Sequence, residues 1–311
     1  MKKYYSVGLM LLAACCALSC EKYIEFDGEE TAPRLTVSAL AQAGEPLSAY
    51  VSSSVFFLNN WGVESFVESL DVSRGRVSVS VNGAVEAMTL LSGTEQLDGS
   101  LLYGCDYVPQ PGDHLVLEAE FPGFDPVRAE TDVPFPPRFE VTSLAFREEG
   151  VVGELELSLL LHDDGSYAKY YCLVPKTEYH YGEDSQSYEV AHRFRSDDLV
   201  FKNMSLGVLD LYNVLFDDNS LVSHYFSDEM IRGKEHALKI VIPNLPLLEE
   251  GQRFFVELQT VTESLYWYDV SLAQMKNDFA LFSEGVTIYS NVQDGYGVFC
   301  AAATTCVEVH F

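Results

Sequence analysis

The feature that most limits the fold of this chain is a two-residue alternation of apolar and polar side chains. Val77, Val79 and Val81 show the pattern, which recurs at 35–39 and 115–121. Because successive side chains of a β-strand point to opposite faces, each segment is predicted to be a strand buried on one face. Short strands at close intervals without intervening helices predict antiparallel sheets packed as sandwiches.

A proline-rich run divides the pattern into two predicted domains. Residues 134–137 read Pro-Phe-Pro-Pro, and three prolines in four residues cannot lie in a central strand. We therefore predict an N-terminal β-sandwich domain over 33–133, a stiff linker over 134–137 and a C-terminal β-rich domain over 138–311. The alternation resumes after the linker, for instance at 155–161. The predicted fold is mainly β, with two immunoglobulin- or fibronectin-like antiparallel sandwiches.

The second predicted domain contains two departures from the strand pattern. Thr260 and Glu263 have the spacing of a capping box, and they precede apolar residues at helical intervals, namely Leu265, Tyr268, Leu272 and Met275. This pattern predicts one amphipathic helix over 260–277. The stretch 176–233 is rich in aromatic residues and irregular, so it is predicted to be a long loop insertion or to contain short elements.

The N-terminus has the form of an export signal. Lys2 and Lys3 precede an apolar run at 7–18. This run is too short for a membrane span, which needs about 20 residues. Small residues before Cys20 predict a lipoprotein signal peptide over 1–19 and a lipid-anchored Cys20. Acyl chains such as palmitate on that cysteine would anchor the protein through burial of their methylene groups, at about 0.8 kcal/mol each.

Two alternatives concern this anchor and the acidic tether that follows it over 20–32. The residues before Cys15 fit the usual cleavage pattern better, but cleavage there leaves an apolar core of only 7–12. Cleavage without lipid attachment is the other alternative. The acidic residues after Cys20 are similar to the surface-export signal of Bacteroidetes lipoproteins, although a plain solvated linker has the same composition.

Charge and cysteine content limit the partners and the covalent links. The formal net charge is −28, so a nucleic acid would be repelled, and electrostatic docking on anionic headgroups is disfavoured. Cys300 and Cys306 flank a five-residue Ala/Thr segment, which in an exported protein predicts either a hairpin disulfide or two free thiols. Whether Cys105 and Cys172 pair is left open by the sequence.

The sequence contains no recognisable catalytic motif. Neither a His-Glu-x-x-His helix nor a Gly-x-Ser-x-Gly elbow is present, so we predict that the chain is not an enzyme and has no cofactor. The acidic turns at 163–165 and 217–219 carry oxygen ligands that suit calcium, but they lack the register of an EF-hand loop. We therefore predict solvated turns and no metal site.

Aromatic side chains in the predicted loop are the candidate contacts. Tyr179, Tyr181 and Tyr188 combine apolar area with a polar tip, and long loops at the ends of sandwiches are frequent binding sites. They are predicted to contact a ligand or partner. The alternative is that these aromatics pack in the core of a β-rich domain.

Several separated blocks together resemble one known family. They are Cys20-Glu21-Lys22 with 24–28, the Pro-Gly-Asp turn at 111–113, 226–229 with 233–234, and 288–292 with 295–299. Over nearly the whole mature chain the sequence resembles the Bacteroidetes lipoprotein family catalogued as domain of unknown function 4249. The resemblance implies an outer-membrane lipoprotein, typically encoded beside TonB-dependent receptors. It implies no reaction and no catalytic residues, and Cys300 and Cys306 are additions to the usual pattern.

Three functional hypotheses follow from these observations. The first is a non-catalytic lipoprotein that faces the cell exterior and assists nutrient capture or transport by a TonB-dependent outer-membrane transporter. The second is a structural or adhesive surface module, and the third is an uncharacterised hydrolase.

Overall fold

Strands dominate the computed structural model, which describes residues 32–54, 70–91, 100–181, 186–202, 225–249, 251–276 and 287–311. Pro33–Phe311 forms one unit of the chain and Met1–Ala32 another. The predicted signal peptide, Cys20 and nearly all of the acidic tether lie outside the described residues. The prediction of a mainly β fold is confirmed.

The described elements are fifteen strands and two helices. In chain order the strands are β1 (Leu35–Gln42), β2 (Ser48–Ser53), β3 (Arg76–Val81), β4 (Ala84–Leu90), β5 (Leu101–Gly104), β6 (His114–Glu120), β7 (Val127–Asp132), β8 (Arg138–Glu149), β9 (Val152–His162), β10 (Tyr170–Tyr181), β11 (Gln186–Ala191), β12 (Tyr225–Ser227), β13 (Glu235–Pro246), β14 (Arg253–Val261) and β15 (Tyr296–Val309). The helices are α1 (Leu199–Lys202) and α2 (Glu263–Lys276). Neither described helix is long and apolar enough to cross a membrane.

The last strand joins both halves of the chain. The large sheet has the order β11-β10-β14-β15-β1-β2-β5-β4-β3-β6-β7, with β12 beside β10, and the small sheet has the order β13-β9-β8. The first half of β15 pairs with β1 in parallel, and its second half pairs with β14 in antiparallel. The prediction of purely antiparallel sheets is therefore wrong at β1 and β15, because an alternating pattern shows burial and not the direction of the neighbour.

Two large hydrophobic cores lie along this framework, and a smaller cluster lies beneath α2. The first is formed mainly by alternate residues between 35 and 133, and it also contains Val292, Phe299 and Ala301. The second is formed by residues between 139 and 309. Residues 138–311 thus contribute to both cores, because β15 is shared. The proline-rich segment 134–137 connects β7 to β8, and its role as a domain boundary stays a prediction.

The predicted hairpin around Cys300 and Cys306 is wrong. Both cysteines lie on the uninterrupted strand β15 and have free thiols. Six residues of extended chain span about 20 Å, whereas the Cα atoms of a disulfide are about 4.4–6.8 Å apart. The structure therefore agrees with the alternative of two free thiols and not with the disulfide. The intervening Ala and Thr residues continue the strand and make no turn, and Cys105 and Cys172 are also free.

Thiol labelling checks this correction. Cys306 is exposed and Cys300 is buried, and burial raises the pKa of the Cys300 thiol to about 12. Because only an accessible thiolate reacts, we expect a maleimide to modify Cys306 in the native protein and Cys300 only after unfolding. Peptide mapping by mass spectrometry without reduction measures both sites. An intact link between Cys300 and Cys306 would contradict the structure.

The predicted helix is confirmed, but its start is two residues later than the capping box implied. Thr260 lies in β14 and is buried. The helix begins after Thr262, whose carbonyl accepts a hydrogen bond from the backbone N–H of Tyr266 at 3.1 Å. The Thr262 hydroxyl accepts one from the backbone N–H of Ala301 at 3.1 Å. The N-terminus of α2 is thus fastened to β15, which no local motif shows.

The buried face of α2 also differs from the predicted face. Tyr266 and Val270 are buried against the large sheet, where they pack with Cys172, Val261 and Ala302. Met275, which the pattern placed on the buried face, is exposed. The sheet presents small side chains at this point, and Tyr266 and Val270 pack against them. The surface that the helix packs against therefore decides which of its faces is buried, and the helical repeat alone does not.

Candidate functional site

The predicted loop over 176–233 begins with a β-hairpin. Strand β10 continues to Tyr181, and β11 pairs with it in antiparallel. Of the two alternatives for this stretch, the one with short elements is therefore confirmed here, and the one with a long loop is not. Farther along, Phe194, Phe201 and Phe226 are buried in the second core, as the core-packing alternative states for aromatics of this region. Residues 203–224 lie outside the described part.

The hairpin brings two of the three predicted contact residues together. Tyr179 and Tyr188 are opposite each other in the register, and their rings stack at a centroid distance of 5.2 Å and an angle of 16°. The exposed fraction of Tyr188 is 49%, while Tyr179 is half-buried. Tyr181 ends β10, and its side chain lies outside the described part. The pair is therefore a partly accessible aromatic surface.

The hairpin has one aromatic face and one charged face. Tyr171 and Leu173 of β10 point into the second core. Tyr179 is an even number of residues farther along the strand, so its side chain lies on the same face, beyond the core. On the other face, Lys176 pairs with Glu189 at 2.9 Å and also contacts Glu257. These charges are compensated locally, which leaves the aromatic pair as the distinctive feature of the hairpin.

The outer edge of the hairpin is open. Strand β11 stands at the end of the large sheet, and within the described residues it pairs only with β10. Its outward backbone N–H and C=O groups thus have no strand partner in this part of the chain. Such an edge can accept an added strand from another polypeptide. Tyr188 and Val190, both exposed, lie along this edge.

A half-buried histidine lies at the base of the hairpin. The Nε2 atom of His192 lies 2.7 Å from the hydroxyl oxygen of Thr177, and the His192 ring stacks on Phe254 with centroids 6.0 Å apart. The backbone N–H of His192 donates to the carbonyl of Pro175 at 2.8 Å. Burial lowers the pKa of His192, so its ring stays neutral and well packed near neutral pH.

The acidic turn at 163–165 is not a simple solvated turn. The Asp163 side chain has an exposed fraction of 0%. It accepts hydrogen bonds from the backbone N–H groups of Gly165 (2.8 Å) and Gly233 (2.7 Å) and from the Tyr171 hydroxyl (2.6 Å). Burial alone would raise the pKa of Asp163, but these hydrogen bonds outweigh burial and lower it. The prediction of a solvated turn is therefore wrong for Asp163.

Charged neighbours complete this cluster around Asp163. Lys169 is buried, with its ammonium nitrogen 3.7 Å from an Asp163 oxygen and in contact with Asp164. The buried Asp228 carboxylate accepts two hydrogen bonds from Arg232, at 2.8 and 2.9 Å. Through the backbone N–H of Gly233, the block at 226–234 is thus joined to the turn at 163–165. Among the described residues, no group of three or more His, Cys, Asp or Glu side chains could hold a metal ion, and 217–219 lies outside them.

The closing block at 288–299 is also structural at its most characteristic positions. The Asn291 amide donates to the Phe299 carbonyl at 2.7 Å and accepts from the Phe299 N–H at 2.9 Å, as a paired strand would. A Cβ on Gly297 would lie 2.0 Å from the carbonyl oxygen of Val37, and one on Gly295 would lie 2.6 Å from that of Leu35. Only glycine allows β15 to run this close to β1.

A cleft lies between α2 and the segment 287–296. Its volume is about 590 Å³, and its walls carry Trp267, Tyr289 and Tyr296. The Ser271 hydroxyl joins the two walls, since it accepts a hydrogen bond from the backbone N–H of Tyr289 at 2.9 Å. Sequence analysis missed this site. The aromatic residues Tyr289 and Tyr296 of the closing block are the sequence signal that points to it.

Comparisons with known proteins define the family and leave the function open. No functionally curated protein matches the chain. Among solved structures, the chain is similar to Escherichia coli alpha-2-macroglobulin activated by porcine elastase, at 12% identity and a TM-score of 0.21, over 77% of this chain and 21% of that one. The chain thus spans about a fifth of that protein. It is also similar to a DUF3823 family protein from Bacteroides ovatus, at 11% identity and a TM-score of 0.17, over 73% and 89% of the two chains.

At these TM-scores neither structure defines the function of this chain. The family match is of a different kind, because it covers residues 21–306, nearly the whole chain after the predicted signal peptide. It includes the first core, nearly all of the second core, the β10–β11 hairpin and the blocks at 226–234 and 288–299. The chain therefore belongs to the family described as "Domain of unknown function (DUF4249)".

Proposed function

We propose that this protein is a non-catalytic surface lipoprotein that assists nutrient capture or transport by a TonB-dependent outer-membrane transporter. The observation that carries the proposal is the β10–β11 hairpin. Its stacked Tyr179 and Tyr188 stand beside a strand edge that no other described strand covers, and partly exposed tyrosines are frequent anchors of protein interfaces. The lipid anchor at Cys20 and the location outside the cell rest on the sequence pattern, and the transporter rests on the family resemblance.

The finer fold assignment belongs to the same proposal. The two hydrophobic cores correspond to two immunoglobulin-like sandwich domains, over 33–133 and 138–311, with 134–137 as the linker. The two clusters support two packing centres, and the second range adds Val292, Phe299 and Ala301 to the first of them. The shared strand β15 then acts as a rigid tie, so that the hairpin of the second domain is presented from a stable support.

Replacing Cys20 with Ala tests the anchor. We expect the variant to be released from membranes, because the acyl chains that would anchor the protein cannot be attached to an alanine. Fractionation of cells and protease treatment of intact cells measure attachment and exposure. Cys15→Ala is the matched control and should leave the protein attached. Release by Cys15→Ala with retention of the Cys20→Ala protein would reverse the assignment.

Replacing Tyr188 with Ala tests the hairpin. We expect co-purification with the transporter encoded beside this protein to weaken by roughly 5- to 30-fold, as for truncation of an interface tyrosine. The free energy of unfolding should fall by about 1 kcal/mol or less, since Tyr188 lies on an edge strand and loses mainly one ring contact.

Tyr50→Ala is the control, because Tyr50 is a similarly exposed tyrosine on β2, a strand that packs in the first core and not in the second. It should leave the association unchanged. An equal effect of both substitutions would show that the hairpin is not the contact. Normal growth of a deletion strain on every substrate of that transporter would contradict the transport role itself.

A structural or adhesive surface module is the second candidate. The favouring observation is that β15 is hydrogen-bonded to β1 and β14 along its fourteen residues and so ties the two cores together. Such a tie suits a protein that bears mechanical load. Gene neighbourhood separates the candidates, because an adhesive module is expected beside matrix or pilus genes and an uptake protein beside a receptor gene.

A further inference from the structure

We propose that the cleft between α2 and residues 287–296 binds a neutral saccharide by stacking it on Trp267 and Tyr296. This inference is independent of the transporter role, because it concerns a different surface from the hairpin and a small ligand instead of a protein partner. The cleft volume of about 590 Å³ lies within the roughly 300–1,000 Å³ of ligand pockets.

The absence of charge in the cleft selects the ligand class. Ten described residues line the cleft, and none of them is Asp, Glu, Lys, Arg or His, although the chain carries 47 acidic residues. An anionic ligand would meet a strongly negative protein without a cation in the lining to compensate it. A cationic ligand would have no carboxylate in the lining to pair with. A neutral ligand is the class that fits.

Two aromatic side chains supply stacking surfaces. The exposed fractions of Trp267 and Tyr296 are 38% and 43%. Charged groups outside the lining contact both rings: Trp267 donates its indole N–H to Glu263 at 3.2 Å, and the Arg34 guanidinium lies 5.7 Å from the centre of the Tyr296 ring. Rings that are oriented before binding lose little freedom when a ligand stacks on them.

Hydroxyl groups supply the polar complement. Thr287 and Ser290 are exposed in the lining, and within the described residues the Tyr289 and Tyr296 hydroxyls make no hydrogen bond. A sugar ring offers an apolar C–H face to an aromatic ring and hydroxyls at its rim, so it matches both features of this surface. A purely apolar ligand would leave these hydroxyls without partners, which costs binding free energy.

The link through Ser271 favours a preformed site. Its hydroxyl donates to the Tyr268 carbonyl at 2.8 Å and accepts from the Tyr289 N–H at 2.9 Å, so the two walls are joined across the cleft. Val270 and Val292, both buried, anchor the walls from below, one in the cluster beneath α2 and the other in the first core. The separation of Trp267 from Tyr296 is thereby set before any ligand arrives.

The experiment uses the full-length lipidated protein in detergent. The chain has two tryptophans, so a Trp61→Phe background leaves Trp267 as the only indole reporter. Cellobiose, maltose, lactose and mannobiose are the neutral probes, and digalacturonate is the acidic one. We expect a saturable change of Trp267 fluorescence with at least one neutral disaccharide, confirmed by calorimetry on the wild-type protein, and no binding of digalacturonate.

Variants assign the binding to the cleft. Measured by calorimetry, Trp267→Ala and Tyr296→Ala should each weaken binding at least about tenfold, Trp267→Phe should restore most of it, and Tyr50→Ala should leave it unchanged. Thermal unfolding of each variant verifies that it is folded. Binding that survives both alanine substitutions would overturn the site, binding of digalacturonate alone would overturn the ligand class, and no saturable binding of any probe would overturn the proposal. None of these results depends on whether the hairpin binds a transporter.

Discussion

Replacing Asp163 with Ala should lower the free energy of unfolding by about 3–5 kcal/mol, the usual cost of removing one partner from a buried charge cluster. The reason is that Asp163 is buried and accepts hydrogen bonds from Gly165, Gly233 and Tyr171. Without the carboxylate these donors lose their acceptor, and the buried Lys169 loses a nearby counter-charge. Denaturant unfolding of both proteins measures the loss.

The matched control is Asp132→Ala, because the Asp132 side chain is 81% exposed and pairs with His114 at the surface. It should change the free energy of unfolding by less than about 1 kcal/mol. Equal losses in the two variants would show that the cluster around Asp163 has no special weight. A loss below about 1 kcal/mol for Asp163→Ala would have the same meaning.

The pH dependence of the Asp163 effect has a definite sign. The pKa of Asp163 is lower in the folded protein than its usual value of 3.8, so the folded state favours the ionised carboxylate. Its contribution is complete above pH 3.8 and is lost as the pH falls through the lower folded pKa. The stability difference between the wild type and Asp163→Ala should therefore narrow below pH 3.8, and a difference that widens there would contradict the assignment.

Replacing Gly297 with Ala should lower the free energy of unfolding by roughly 2–5 kcal/mol. Part of the loss, about 1–2 kcal/mol, comes from the φ of +106°, which L-residues rarely adopt. The remainder, about 1–3 kcal/mol, comes from overpacking, because the new Cβ would lie 2.0 Å from the carbonyl oxygen of Val37. Since β15 is shared by both cores, moving it away from β1 would disturb the first core as well.

Gly44→Ala separates these two causes. Gly44 has a φ of +90°, close to that of Gly297, but a Cβ there would meet no atom within 4 Å. Gly44→Ala should therefore lose only the free energy that comes from the unfavourable φ. The difference between the stability losses of the two variants then measures the cost of the contact between Gly297→Ala and β1. Denaturant unfolding measures both. Equal losses would show that β15 and β1 do not approach as closely as the structure indicates.

Local periodicity was enough to locate many of the strands. The alternation at 35–39, 77–81 and 115–121 predicted strands that the structure places at β1, β3 and β6. This works because the contrast between a buried and a solvated face acts on each residue of a strand independently of what covers it. The predicted export signal is local in the same sense, since the pattern that predicts it involves only neighbouring residues.

Strand pairing could not be predicted in this way. Thr36 pairs with Tyr296, about 260 positions later, and the pairing is parallel. Cys300 and Cys306 lie in a segment of small residues that could form a turn or continue a strand, and the neighbouring strands β1 and β14 decide for the strand. Which segment supplies a neighbour is a property of the whole chain.

The binding surfaces show the same division. The sequence by itself determined that Tyr179 and Tyr188 are aromatic and close in the chain, but only the hairpin register set their rings face to face. Only tertiary structure placed Trp267 beside the closing block and buried Asp163 under donors from two turns. Side-chain type and local periodicity are properties of neighbouring residues, so they can be read from the sequence. Burial and strand pairing depend on which distant segments pack together and exclude water, so only the tertiary structure decides them.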